Sequence, residues 1–182
     1  MGKKTLDFSV FWVYNIDTER EREVQVMIKY LVFDMDGTIA DLYGVENWLT
    51  MLRAEDSTPY AIAKPLYDMD TLNTILEELK AFGYRVVVTT WLANGSSNAY
   101  SKEVARVKKE WLDKWGFPYD RYYPVAYGTP KQNVTRGKAE YQILFDDNDD
   151  VRAEWDLGYS VDAKGNILKA LTDLLVDLVE NA

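Results

Sequence analysis

The sequence predicts an α/β domain in which helices flank a parallel sheet. The main observation behind this prediction is a set of short, largely apolar runs at positions 31–33, 84–88 and 142–145. Each run ends abruptly in polar residues. Such runs are typical of strands that are buried on both faces. Apolar residues with helical spacing lie between the runs, and βαβ units require this alternation. The length of 182 residues favours one domain over two.

The first apolar run belongs to the stretch YLVFDMDGTIAD, residues 30–41, and stops at two carboxylates. Asp34 and Asp36 lie two residues apart, and Gly37 and Thr38 then turn the chain away from the strand. Ligands of open α/β sheets bind beyond the carboxyl ends of the strands, so this pair is well placed for chemistry. A calcium loop is excluded, because Thr38 stands where the third acidic ligand belongs. The plain alternative is two surface aspartates in a turn.

Residues 1–26 are interpreted as an N-terminal extension ahead of a domain that spans 27–182. Apolar residues at positions 6, 8, 10 and 12 give a weak strand signal. Residues 18–23 are a charge run, typical of a solvated helix or a linker. Met27 directly precedes the first strand and is an alternative start. The sequence leaves open whether the extension is an edge strand, a docking arm or a segment without function.

A short insertion, residues 41–68, is expected over the carboxyl edge of the sheet. Val45, Trp48, Leu49 and Leu52 recur with helical spacing and predict a short amphipathic helix. Two prolines predict a loop over residues 57–65. Aromatic side chains of the insertion either pack in the core or form a lip over a ligand: Tyr43, Trp48, Tyr60 and Tyr67.

The next helix is expected to begin at an Asp70 N-cap and to end at Gly83. Its buried stripe consists of Leu72, Ile75, Leu76, Leu79 and Phe82. The strand that follows, residues 84–88, ends at Thr89 and Thr90. Strand, helix and strand together predict a βαβ unit with parallel strands.

A long helix follows a turn at residues 94–98, and Gly116 and Pro118 end it. Its apolar face carries Tyr100, Val104, Val107, Trp111 and Trp115. Its other face is basic and carries Lys102, Arg106, Lys108, Lys109 and Lys114. Interleaved acidic residues favour a solvated face with ion pairs between neighbouring turns over a nucleic-acid site.

The last third of the chain adds a lysine and a cluster of acidic residues. A strand near 122–127 is followed by a turn at 128–131 that ends in Lys131. The strand at 142–145 ends in the acidic run DDNDD, residues 146–150, and a final helix is expected over 166–179. So much negative charge at a strand end is costly without a cation, and Mg²⁺, a hard ion, fits. A calcium loop from Asp146 is excluded, because Val151 replaces the required glycine.

Composition excludes several classes of chemistry. The sequence has no cysteine and no histidine, which removes thiol nucleophiles, Ser-His-Asp triads and ordinary zinc sites. A net charge of −9 disfavours binding to nucleic acid or to anionic membranes. No apolar run approaches membrane-spanning length and no signal peptide is recognised, so a cytoplasmic protein is the default expectation.

The motif around Asp34 resembles the first motif of the haloacid dehalogenase-like phosphohydrolases, a hydrophobic strand followed by DxDGT. The resemblance extends over residues 29–150, because the polar strand ends come in the family's order. It implies a Rossmann-like sheet with a reduced helical cap. It also implies that Asp34 is the nucleophile and that Asp36 is the general acid and base.

The remaining roles follow from the same resemblance. Thr89, with Thr90 beside it, would bind phosphoryl oxygens, and so would the turn at Gly37 and Thr38. Lys131 would neutralise the nucleophile and the phosphate, with Lys138 as the alternative lysine. The metal site for Mg²⁺ would comprise Asp34, Asp36, Asp146 and Asp147, of which Asp147 would be a direct ligand and Asp146 would contact the ion through water or stand behind a ligand.

The resulting interpretation is a Mg²⁺-dependent phosphomonoesterase that forms an aspartyl phosphate. Likeness to small 5′-nucleotidases and phage-type members makes a nucleoside monophosphate the leading substrate class. One alternative is a polynucleotide-end phosphatase or phosphotransferase, which an open site favours and the negative charge disfavours. Another is a non-catalytic phosphate-binding module. No membrane partner is expected, and the oligomeric state is left open.

Overall fold

The computed structural model describes residues 27–182, and the predicted N-terminal extension lies outside them. A five-stranded parallel sheet forms the centre, in the order β5-β4-β1-β6-β7. Its strands are β1 Lys29–Phe33, β4 Tyr84–Trp91, β5 Arg121–Val125, β6 Tyr141–Asp146 and β7 Gly158–Asp162. A short antiparallel pair consists of β2 Ala40–Asp41 and β3 Lys64–Pro65. The predicted parallel α/β sheet is confirmed.

The helices lie between the strands and on both faces of the sheet. They are α1 Trp48–Arg53, α2 Thr58–Ile62, α3 Met69–Ala81, α4 Asn98–Lys114, α5 Lys131–Thr135, α6 Asp149–Glu154 and α7 Ile167–Glu180. Within residues 27–182, no helix combines the length and the apolar character needed to cross a bilayer.

Alternation along the strands divides the apolar side chains between two cores. On one face, Leu31 and Phe33 pack with side chains of α3, α4 and α7, and the Phe33 ring stacks on Phe145 at 4.6 Å. On the other face, Val32 packs with Leu144 and with residues of and next to α6. Strands that are apolar on both sides are what a sheet covered on both faces requires.

The strand register brings the polar strand ends to one edge of the sheet. Phe33 of β1 is level with Val88 of β4 and with Phe145 of β6. Because all three strands are parallel, the next residues along the chain meet at the same edge. These residues are Asp34, Thr89 and Asp146.

The insertion is folded against α4. Leu42 and Tyr60 pack in one cluster with Tyr100, Val104 and Val107 of α4. The Tyr100 hydroxyl donates to the main-chain oxygen of Asp56 at 2.9 Å, and the Glu55 carboxylate accepts from the Ser97 N–H at 2.6 Å. The insertion is therefore held by apolar contacts and by hydrogen bonds at the start of α4.

Three local predictions were wrong. Residues 57–65 form α2 and β3 rather than a loop, and Pro59 sits in the first turn of α2, where a missing N–H costs nothing. The N-cap of α3 is Asp68 rather than Asp70, and its side chain accepts from the Thr71 N–H at 2.8 Å. β4 continues through Thr89 to Trp91. Helix α6 and strand β7 had no counterpart among the sequence predictions.

Candidate active site

Acidic and basic side chains meet above the carboxyl edge of the sheet and line a cavity of about 450 Å³. Asp34 follows β1, Asp146 ends β6, and Lys131 begins α5. Aromatic side chains, mostly from the insertion and from the end of β4, form much of the remaining wall: Tyr43, Trp48, Tyr60, Trp91 and Tyr127. The cavity therefore has charged groups at the sheet edge and an apolar, aromatic wall.

Lys131 is buried between two of the carboxylates. Its side chain is 2% exposed, and its Nζ lies 2.6 Å from Asp34 Oδ1 and 2.7 Å from Asp146 Oδ2. The ring of Trp91 lies 5.2 Å from the same ammonium. Burial lowers the pKa of Lys131, but Asp34 and Asp146 outweigh burial and raise it above the ordinary value. The side chain is therefore a fixed positive charge beside Asp34.

Three carboxylates form a group that fits a divalent cation. Asp34, Asp146 and Asp147 each offer one oxygen, and these atoms lie within 4.8 Å of one another. Burial first, and the charge of Asp34 second, raise the pKa of Asp146 and of Asp147 to about 6. Clustered oxygen donors of this kind suit a hard ion such as Mg²⁺.

Asp36 is the exception among the predicted metal ligands. Its carboxylate lies outside this group, because Lys108 Nζ binds its Oδ2 at 2.5 Å. Burial raises the pKa of Asp36, and Lys108 opposes that effect. A role for the Asp36 side chain as a direct metal ligand is therefore not supported. A carboxyl group with a raised pKa beside the cavity suits a general acid.

Lys108 was predicted to lie on the solvated face of α4, and that prediction was wrong. Its side chain is fully buried. The ammonium also donates to Thr90 Oγ1 at 2.9 Å and to the Trp91 main-chain oxygen at 2.7 Å. A usable signal was present, since position 108 lies four residues after Val104 and three before Trp111, on the apolar stripe of the helix.

The turn after Asp34 depends on a glycine. Gly37 has a φ of 77°, and a Cβ there would lie 2.5 Å from Asp147 Oδ2 and 2.6 Å from the Tyr43 ring. Its N–H donates to the Ala40 main-chain oxygen at 2.8 Å. Any other residue at this position would therefore strain the backbone and clash with the site.

Some main-chain N–H groups of this turn donate to acceptors inside the turn, and others have no acceptor in the part of the chain that is described and face no such constraint. The N–H groups of Gly37 and Thr38 are engaged inside the turn, the latter with the Met35 oxygen at 3.3 Å. Their predicted role in substrate binding stays a prediction, and the Thr38 hydroxyl, which is buried without a hydrogen-bond partner within residues 27–182, is the group of this pair that could still bind a ligand. Within residues 27–182, the N–H groups of Met35 and Asp36 meet no acceptor, so donors of the same turn stay available.

The two threonines at the end of β4 differ. The Thr90 hydroxyl accepts a hydrogen bond from Lys108 and keeps its own proton to donate, so the predicted contact of Thr90 with substrate stays a prediction. The Thr89 hydroxyl is buried and has no hydrogen-bond partner in the part of the chain that is described. Thr89 is therefore the better of the two candidates, and its role stays a prediction.

Lys138, the alternative lysine, lies elsewhere. It is exposed, and its ammonium sits 4.4 Å from the centre of the Tyr123 ring. It is not among the residues that line the cavity. Of the two candidate lysines, Lys131 is the one that contacts the predicted nucleophile.

The raised pKa of Asp147 predicts that metal-free protein loses folding stability as the pH rises. Between about pH 4 and 6 the folded protein keeps a proton that the unfolded chain loses, so this group's contribution to stability falls as pH rises. Asp147→Asn removes the titration. In EDTA, the gain in stability of Asp147→Asn over wild type should be small at pH 4.5 and should be larger at pH 7.5, as measured by urea unfolding.

Mg²⁺ should offset this loss of stability in the wild type. A free Mg²⁺ concentration one hundred times the Kd raises the free energy of unfolding by about 2.7 kcal/mol. Asp147→Asn should respond less, while Asp150→Asn, at an exposed position on α6, is the control and should respond as wild type. Absence of any Mg²⁺ effect on the wild type at pH 7.5 would contradict a metal site here.

Comparisons with known proteins support the fold alone. No family model matches the sequence, and no curated protein matches it either. A solved structure of D,D-heptose 1,7-bisphosphate phosphatase from Burkholderia thailandensis is similar with a TM-score of 0.50 and 13% identity. The match covers 81% of this chain and 98% of that one.

A second similar structure is a chain of the Pnkp1/Rnl/Hen1 RNA repair complex. Its TM-score is 0.48 at 21% identity, and the match covers 75% of this chain. The present chain spans only 44% of that one. The similarity to the phosphatase structure and the arrangement of the sheet show that this protein has the haloacid dehalogenase-like fold expected from its motifs.

Proposed function

We propose that this protein is a Mg²⁺-dependent phosphomonoesterase that works through an aspartyl phosphate on Asp34. One observation carries the proposal, namely the contact of the buried Lys131 ammonium with Asp34 and Asp146 at the sheet edge of the cavity. A carboxylate nucleophile repels a phosphate dianion, and fixed positive charge at this point offsets the repulsion.

The reaction has two steps that use the same two aspartates. In the first, an oxygen of Asp34 attacks phosphorus, the bond from phosphorus to the leaving oxygen breaks, and Asp36 gives that oxygen a proton. In the second, water attacks the aspartyl phosphate, Asp36 takes a proton from the water, and Asp34 is released. Mg²⁺ bound to Asp34, Asp146 and Asp147 would supply further charge neutralisation.

Neutral donors at the sheet edge support phosphate binding. The N–H groups of Met35 and Asp36 meet no acceptor within the described chain, and the Thr89 hydroxyl is buried there without a partner. Buried polar groups are normally hydrogen-bonded, so unpaired donors at one edge indicate a ligand that accepts from them. A phosphoryl group, with its equatorial oxygens, meets that requirement.

The wall of the cavity favours a substrate with a planar ring. Tyr43 and Trp48 form one aromatic pair, with ring centres 5.1 Å apart, and Trp91 and Tyr127 form another at 5.0 Å. A cavity of about 450 Å³ lies in the range of small-molecule sites. We therefore propose a nucleoside monophosphate as substrate. The charge of −9 disfavours a polynucleotide end, which would bind with strong salt dependence.

The two aspartates should be separable by their effects on turnover. Asp34→Asn should abolish both turnover and formation of a phosphoenzyme, because an amide is not a nucleophile. Asp36→Asn should slow turnover by about 10²–10⁴-fold, as loss of a general acid and base does. The assay is release of phosphate from 4-nitrophenyl phosphate and from nucleotides with Mg²⁺, alongside acid-quench trapping of the phosphoenzyme. Wild-type protein without activity on any of these substrates would leave the non-catalytic module as the better interpretation.

The two lysines should also be separable. Lys131→Ala should lose on the order of 3 kcal/mol of transition-state stabilisation, which is the usual cost of removing one electrostatic contact to the reacting group. Lys138→Ala, at the exposed position over Tyr123, is the matched control and should change little. Measurement of kcat/KM for both variants with one substrate decides the matter, and the opposite ranking would make Lys138 the site lysine.

The aromatic wall should determine substrate preference. Tyr127 is 56% exposed, so Tyr127→Ala removes a ring from the cavity with little loss of packing. We expect KM for a nucleoside monophosphate to rise about tenfold, since base stacking is worth about 1–3 kcal/mol. KM for glycerol 2-phosphate, which has no ring, should hardly change. Tyr159→Ala on β7 is the control, and equal changes for both substrates would refute recognition of the ring.

A further inference from the structure

Lys108 is a buried charge to which the two proposed reaction steps assign no role. It lies on α4, and its side chain is fully buried. A lysine in such a place is costly unless its charge and its hydrogen-bond donors are satisfied. Lys108 is therefore not a solvated surface lysine of the helix, and the contacts of its ammonium must explain why it is buried.

The contacts use the full donor capacity of the ammonium, which has three N–H groups. They go to Asp36 Oδ2 at 2.5 Å, to Thr90 Oγ1 at 2.9 Å and to the Trp91 main-chain oxygen at 2.7 Å. The ring of Tyr60, from the insertion, lies 4.7 Å from the same nitrogen. The position of Nζ is therefore fixed from the sheet, from the helix and from the insertion.

This fixed ammonium determines where the Asp36 carboxylate can lie. Asp36 follows the end of β1 in a turn, and among residues 27–182 Lys108 is the only recorded side-chain partner of its carboxylate. Lys108 binds Oδ2, so Oδ1 is the oxygen left to face the cavity that Asp36 helps to line. A general acid must be held within hydrogen-bond reach of the oxygen that it protonates.

We infer that Lys108 is the positioning residue of the acid–base Asp36, an inference that rests on the proposed function. The two buried lysines contact different aspartates. Lys131 contacts the nucleophile Asp34, whereas Lys108 holds Asp36 by one oxygen and directs the other at the leaving group. Lys108 itself exchanges no proton. It acts through the orientation of Asp36 and through its charge, which stabilises the carboxylate left after proton donation.

The test uses two substrates whose leaving groups differ in how much they need protonation by a general acid. Release of 4-nitrophenolate needs little protonation, whereas release of an alkoxide from glycerol 2-phosphate requires it. The probe variant is Lys108→Met, which keeps most of the length of the unbranched side chain and removes its charge. Lys102→Met, at an exposed position on the same helix, is the matched control. Rapid-quench kinetics with Mg²⁺ measure the first step separately from hydrolysis of the phosphoenzyme.

We expect Lys108→Met to slow the first step on glycerol 2-phosphate by about 10²-fold, the lower end of a general-acid effect. The burst of 4-nitrophenolate should keep nearly its wild-type rate, followed by slow turnover, because the second step also needs Asp36. Lys102→Met should behave as wild type. In the Asp36→Asn background, Lys108→Met should add no further loss, since both changes act on one group.

Equal slowing of the first step on both substrates, no slowing on either, or an additional loss in the Asp36→Asn background would overturn the inference. Wild-type protein that is inactive on both substrates would instead refute the proposed function and the inference with it. If Lys108→Met fails to fold by circular dichroism, Thr90→Val replaces it. That variant removes one anchor of the ammonium and keeps the charge, and a smaller loss confined to glycerol 2-phosphate is expected. A loss on both substrates, or none, would again overturn the inference.

Discussion

Repulsion among carboxylates at one edge of the sheet is the constraint on which the rest of the site depends. Parallel strands bring the acidic strand ends together, and burial makes each charge costly. At 4 Å, two unit charges interact by about 4 kcal/mol at an effective dielectric constant of 20, so the group requires cations. Lys131 and Lys108 supply two: Lys131 contacts two carboxylates, and Lys108 contacts one carboxylate, a hydroxyl and a main-chain oxygen. The acidic and basic groups of the site therefore require each other.

Helix α4 connects the chemistry of the site to its wall. Its apolar face packs against the insertion, and Lys108, from the same helix, reaches Asp36. One turn further on, Trp111 donates through Nε1 to the main-chain oxygen of Ala63, a residue of the insertion, at 2.7 Å. The part of the aromatic wall that belongs to the insertion and the proposed acid–base are thus both held by α4. A shift of α4 as a whole is expected to affect catalysis and substrate recognition together.

The fold was predictable because its main signals are local. Apolar runs that stop at polar residues gave the buried strands, and helical spacing gave α3, α4 and α7. Less was predictable where the signal was short or mixed. The prolines of residues 57–65 suggested a loop, although Pro59 is tolerated in the first turn of a helix. Strand β7 is largely exposed at the edge of the sheet, so it lacks the apolar run of a central strand.

By itself, the sequence determined the succession of β1, β4, β5 and β6 along the chain and the polar residues near their carboxyl ends, namely Asp34, Thr89 and Asp146, with Lys131 in the segment after β5. These assignments need only local patterns and the rule that parallel strands end at one edge. Only the tertiary structure decided which groups contact each other. It turned Lys108 inward to Asp36, 72 residues away, and thereby removed that carboxylate from the acidic metal group. Such a contact depends on the packing of a helix against a distant strand, and no local pattern encodes the partner of a buried charge.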